Sequence, residues 1–105
     1  MDEQKTAPAR EGAATPPAVT HKRNYLAGLW AAELLGLIGQ AAQDYAKTVI
    51  HPGHAPEVVH GDDSDKVVTK LARDLAGRTT PAVIRGKMAH FLAEARRQFL
   101  SERNR

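Results

Sequence analysis

Three histidines stand close together in the middle of the chain, at His51, His54 and His60, beside Glu57, Asp62 and Asp63. His51-x-x-His54 can bring two imidazoles near one cation, and the carboxylates can in principle complete a ligand set. Zinc, however, takes four ligands in fixed geometry, and this spacing matches no zinc pattern. The run also carries Pro52 and Pro56, so the expectation is exposed loop histidines and no metal. Ser64 and Ser101 are the only serines, and both fall where helix caps and helix ends belong. A nucleophilic triad needs a nucleophile, a base and an orienting group in contact, and nothing here suggests one. Asp62 and Asp63 are paired carboxylates that read as cap residues. Gly28, Gly36 and Gly39 form no phosphate cradle, because no strand precedes them. There is no cysteine, which removes disulfides, thiolate catalysis and cysteine-bound zinc together and fits a cytosolic protein. The residues point away from an enzyme.

The elements that must position any partner-binding group are helices. The chain has 105 residues, one domain at most. Met1 to Val19 contains Pro8, Gly12, Pro16 and Pro17 and no large apolar residue before Val19. Such a stretch buries too little to offset an ordering cost of roughly 1–2 kcal/mol per residue. The expected division is a disordered arm over 1–20 and a helical domain over 21–103. The opening Met-Asp-Glu-Gln-Lys has no apolar segment and does not read as a secretory signal. No run approaches the length needed to span a bilayer.

In the first helix, Leu26, Leu29, Trp30, Glu33, Leu34 and Leu37 recur at spacings of three and four, predicting a buried stripe with one carboxylate in it. Trp30 reads as core rather than as a binding platform. Gly36 can take the left-handed conformation that ends a helix, with Leu37 folding back. A second helix runs from about Gln40 to Ile50, burying Ala42, Tyr45, Ala46 and Val49, and Pro52 and Gly53 stop it. The third starts near Asp63 or Ser64 and presents Val67, Val68, Leu71 and Leu75, ending at Gly77. In the fourth, Thr80 caps and Pro81 occupies the first helical position. Val83, Ile84, Met88, Phe91, Leu92, Ala95 and Phe99 follow at helical spacing. Gly28 and Gly86 lie inside helices, where close helix approach is the expected reason. The fold class is all-α, a four-helix bundle preceded by a disordered N-terminal segment.

Net charge is +3, concentrated beyond Arg85 in Lys87, Arg96, Arg97, Arg103 and Arg105. These cations suit a helix C-terminus or an acidic partner. They do not suit base reading, which uses the N-terminal turns of a recognition helix, and no aromatics interleave them for single strands. No nucleic-acid partner is expected.

The first helix also carries a resemblance. The run Arg23-Asn24-Tyr25-Leu26-Ala27-Gly28-Leu29-Trp30-Ala31-Ala32-Glu33-Leu34-Leu35-Gly36-Leu37 resembles the signature of the zeta subunit family, the inhibitors of the alphaproteobacterial F-type ATP synthase. Gln43 to Ile50, with Tyr45, is similar to that family's second helix. Ile84-Arg85-Gly86-Lys87-Met88 and Ala95-Arg96-Arg97-Gln98 resemble its last. The resemblance implies a regulatory, non-catalytic protein, monomeric when free, that binds the catalytic head of F-type ATP synthase. It implies a cytoplasmic location peripheral to the inner membrane. It implies no required cofactor, and weak adenine-nucleotide binding without assigned positions. Arg23, Asn24, Gly28, Leu29, Trp30, Glu33, Gly36 and Tyr45 are then signature residues, structural or partner-binding.

Family members inhibit through an N-terminal segment that becomes helical on insertion, a charged stretch with phenylalanines. Met1 to Val19 has none, so the chain reads as a divergent member with a weakened inhibitory arm. The alternative is a zeta-like paralogue serving as a nucleotide-sensing, protein-binding or nucleic-acid module apart from ATP synthase.

Overall fold

A computed structural model describes residues 15–50 and 64–103. The arm before residue 15 and the loop holding His51, His54 and His60 lie outside the described residues. Within them the chain forms helices α1 (Pro17–Leu34), α2 (Gly39–Ile50), α3 (Ser64–Asp74) and α4 (Pro81–Arg103). No described segment forms a named strand. The four-helix, all-α expectation is met.

Helix α1 begins earlier than its periodicity predicts. Pro16 is the extended residue before it, and Pro17 opens the first turn, where a missing amide proton breaks no hydrogen bond. The amides of Val19 and Thr20 both donate to the Pro16 carbonyl. Val19 is only 1% exposed. Residues 17–20, read from sequence as arm, are therefore the first turn of the domain, because Val19 finds a place in the core.

The other end of α1 follows the sequence closely. Gly36 has φ +81°; its amide donates to Glu33 O at 3.0 Å, and that of Leu37 donates to Ala32 O at 2.9 Å. This paired closure satisfies carbonyls that a helix end leaves open. Arg78 adds a long-range cap, its Nε donating to Leu34 O at 3.0 Å. At the start of α4, Thr80 Oγ1 accepts from the Val83 amide at 3.3 Å, and Pro81 is the first helical residue.

Helix α1 is the centre of the bundle. It packs against α2 and α4 and touches α3, while α4 also packs on α3. This surrounded position changes which residues it buries. The face at full burial is Ala27, Ala31 and Ala32, with Gly28 among them. Leu26, Leu29, Trp30 and Leu37 are only half-buried, Glu33 is exposed, and Leu34 is 38% exposed. The predicted bulky stripe thus flanks the core instead of forming its centre. Small residues occupy the centre because neighbouring helices approach α1 there too closely for larger ones. The faces of the other helices hold more nearly: Ala46 and Val49, then Val67, Val68, Leu71 and Leu75, then Ile84, Met88 and Ala95 are all buried. Val83 departs from its expected place, being 47% exposed.

Candidate functional site

Of the residues that carry the resemblance, Arg23, Asn24 and Gly28 hold α1 against α2. Arg23 and Asn24, 2% and 1% exposed, are the buried polar side chains among the described residues. Arg23 Nε donates to Asn24 Oδ1 at 2.9 Å, and Asn24 Nδ2 donates to the Ile50 carbonyl at 3.1 Å. Ile50 is the last residue of α2, so Asn24 closes an end that a helix leaves open. The buried guanidinium keeps hydrogen-bond partners, as a charge removed from water requires. Among the described residues no buried side-chain polar atom is left unsatisfied.

Gly28 lies against α2. A Cβ placed there meets Ala46 Cα at 2.7 Å, nearer than real side chains come, so only glycine permits this crossing. Gly86 has no such role. A Cβ there meets nothing within 4 Å, so the close-approach expectation fails at that position. Trp30 packs on the edge of the core, and Lys87 Nζ stands 5.7 Å from its ring centroid.

Tyr45 belongs to a cluster that the sequence did not reveal. Its hydroxyl donates to Asp74 Oδ2 at 2.8 Å, tying α2 to α3. Lys70 Nζ reaches the same oxygen at 2.9 Å and lies 5.3 Å from the Tyr45 ring centroid. Only the Lys70–Asp74 spacing of four residues was legible in advance. Burial, followed by the hydrogen bond to the Asp74 carboxylate, pushes the Tyr45 phenol well above its usual pKa. Burial works to raise the Asp74 carboxyl, but the hydrogen bonds from Lys70 and Tyr45 outweigh it and hold the group below its ordinary 3.8. The folded state then binds fewer protons than the unfolded chain near that pH. The stabilisation is fully present above the unfolded value and is lost as pH falls through the folded one. With both partners partly exposed, it amounts to about 1 kcal/mol or less. Urea melts should show wild type more stable than Asp74→Asn at about pH 6, with the gap closing toward about pH 2. A gap that stays constant over that range contradicts the pairing. Tyr45→Phe should cost about 1 kcal/mol at neutral pH.

These contacts make an interlocked scaffold. Among the described residues no three histidine or carboxylate side chains gather as a metal would require. No described helix is long and apolar enough to cross a membrane. What remains exposed is a cationic surface at the far end of α4, where Arg96, Arg97 and Arg103 all face solvent.

The profile of the family described as ATPase inhibitor subunit zeta matches residues 14–98. The chain belongs to that family. The match spans the bundle as far as Gln98, including the Arg23–Asn24 pair, the Gly28 crossing and the Gly36 terminus, and residues 1–13 and 99–105 fall outside it. No curated protein and no solved structure matches the chain. The family is one of regulatory ATPase-inhibitor subunits associated with ATP synthase, which supports an inhibitor-like regulatory role for this chain. Of the signature residues, Arg23, Asn24 and Gly28 are structural, Gly36 ends α1, and Tyr45 clamps α2 to α3. Glu33 and Gly36 are the exposed ones.

Proposed function

We propose that this zeta-family protein is a regulatory subunit that binds the catalytic head of an F-type ATP synthase and inhibits ATP hydrolysis only weakly. The observation carrying this reading is where the family match begins, at residue 14. The bundle as far as Gln98 is within the matched range, whereas the arm that would be inserted lies before it. Met1 to Ala14 offers Ala7, Ala9, Ala13 and Ala14 as apolar side chains beyond its initial methionine, with no aromatic. An inserted helix of that composition buries little apolar surface. Burying a single large side chain contributes about 1.5–3 kcal/mol, and none is present to bury. Pro8 removes a further ~3 kcal/mol if it falls within the helix.

On this reading the chain acts in the cytoplasm, peripheral to the inner membrane, and is monomeric until it meets the enzyme. It needs no cofactor, and adenine nucleotides are at most weak ligands. Titration of the labelled full chain with ATP and ADP tests the last point; sub-micromolar binding would contradict it.

The main test is ATP hydrolysis by the isolated catalytic head with increasing amounts of the full chain. The expected result is association with partial inhibition. Complete inhibition at one chain per head would overturn the weakened arm. Failure to associate would overturn the assignment to ATP synthase itself.

A further inference from the structure

The end of α4 and the root of α1 enclose a groove of about 490 Å³. Thr15, Pro16 and Val19 form one wall, and Arg96, Phe99, Leu100 and Arg103 form the other. Phe99 is half-buried and Leu100 is 53% exposed. Arg96 and Arg103 stand seven residues apart, two helical turns and about 10 Å along one face. The groove therefore presents apolar side chains between two guanidinium groups, with no carboxylate in its lining among the described residues.

Neither arginine is neutralised within the described residues. Arg97, between them in sequence, is paired with Glu94. Arg96 instead reaches Thr15 Oγ1 at 3.5 Å, and Arg103 lies over the Phe99 ring with Cζ 5.9 Å from its centroid. Both hold positions beside these apolar side chains while keeping their charge unspent. Cations near a helix C-terminus also favour the helix dipole. That effect requires neither the exposed Leu100 nor the approach of both arginines to the groove.

The location supplies the second argument. Thr15, where the arm of residues 1–14 joins the bundle, is itself part of the groove wall. A partner that engages the chain where residues 1–14 meet the bundle therefore lies beside this groove. We infer that the groove between the root of α1 and the end of α4 docks the bundle onto the catalytic head, receiving a segment that presents apolar side chains flanked by carboxylates. The inference rests on the proposed binding to ATP synthase and adds the surface that does the binding. Buried charge pairs at such an interface mainly govern dissociation, and exposed ones mainly govern association and salt dependence.

The test uses the full chain and the isolated catalytic head. The double variant Arg96→Glu with Arg103→Glu should associate at least about tenfold more weakly than wild type, and Leu100→Asp should weaken it as well. Arg85→Glu reverses an exposed charge on α4 outside the groove and should behave as wild type. Thermal melts of each variant separate a loss of docking from a loss of fold. Because the chain has no native cysteine, Leu100→Cys carrying a photoreactive benzophenone reports contact directly. It should crosslink to the head, and the same label at Arg85→Cys should not. Wild-type association by the charge-reversed double variant, or crosslinking from position 85 but not 100, overturns the groove and leaves the family role intact. If wild type itself fails to bind the head, both the role and the docking surface fall.

Discussion

Gly28→Leu will drive α1 and α2 apart and should destabilise the bundle by about 3 kcal/mol or more. The reason is backbone, not side chain. An added Cβ meets Ala46 Cα at 2.7 Å and Ala46 O at 3.2 Å, and neither can rotate away as a long side chain could. The clash falls on the central helix, so relief at this crossing disturbs the packing of Ala27, Ala31 and Ala32 as well.

Gly28→Ala is a graded version of the same test. Alanine gains up to about 1 kcal/mol of helix propensity over glycine, so its net cost should be smaller than that of leucine but still a loss. Gly86→Ala is the matched control: it meets nothing within 4 Å and should raise stability by up to about 1 kcal/mol. For a domain of this size, 1 kcal/mol corresponds to roughly 4–8 °C in Tm. Thermal unfolding followed by far-ultraviolet circular dichroism measures all three. Equal responses at positions 28 and 86 would show that the α1–α2 crossing is not as tight as described.

Asn24→Ala should have the second large effect, a loss of about 2–3 kcal/mol. Its amide joins two groups that cannot be rehydrated cheaply. The Ile50 carbonyl at the end of α2 loses its donor, and the buried Arg23 Nε loses its acceptor. A buried donor or acceptor left unpaired costs about 1–3 kcal/mol, more when charged. Arg23→Met with Asn24→Leu replaces the polar pair by apolar groups and should recover part of the loss, since exchanging both partners is far less costly than stranding one. Chemical denaturation gives the comparison. If Asn24→Ala is as stable as wild type, the pair is not a structural lock. If the double replacement is no better than the single, the cost lies in shape rather than in unpaired polarity.

Both predictions concern residues within the matched range, and both positions serve the packing of α1 against α2. The groove at the end of α4 is made of side chains whose individual types carry little information. Arginine, phenylalanine and leucine near a helix end are ordinary, and only their assembly against Thr15 and Val19 gives them a common surface. Arg78 is a similar case. Its cap on Leu34 spans 44 positions in sequence, and no local pattern connects the two.

The sequence alone determined the number and order of the helices and most of their boundaries. Those boundaries depend on local chemistry: Gly36 and Gly77 at positive φ, Thr80 and Pro81 opening α4, and Ser64 opening α3. It also determined the buried faces of the helices that contribute one side to the core, such as Val67, Val68, Leu71 and Leu75 on α3. It could not determine the buried face of α1. A helix with neighbours on several sides has no single apolar stripe, and the side it buries most deeply is set by how closely those neighbours approach. Only tertiary structure decided that Ala27, Gly28, Ala31 and Ala32 lie at the centre with Trp30 and its leucines at the edge. It likewise decided that Arg23 and Asn24 are core, since burying them depends on the carbonyl that α2 brings to Asn24 from 26 residues away.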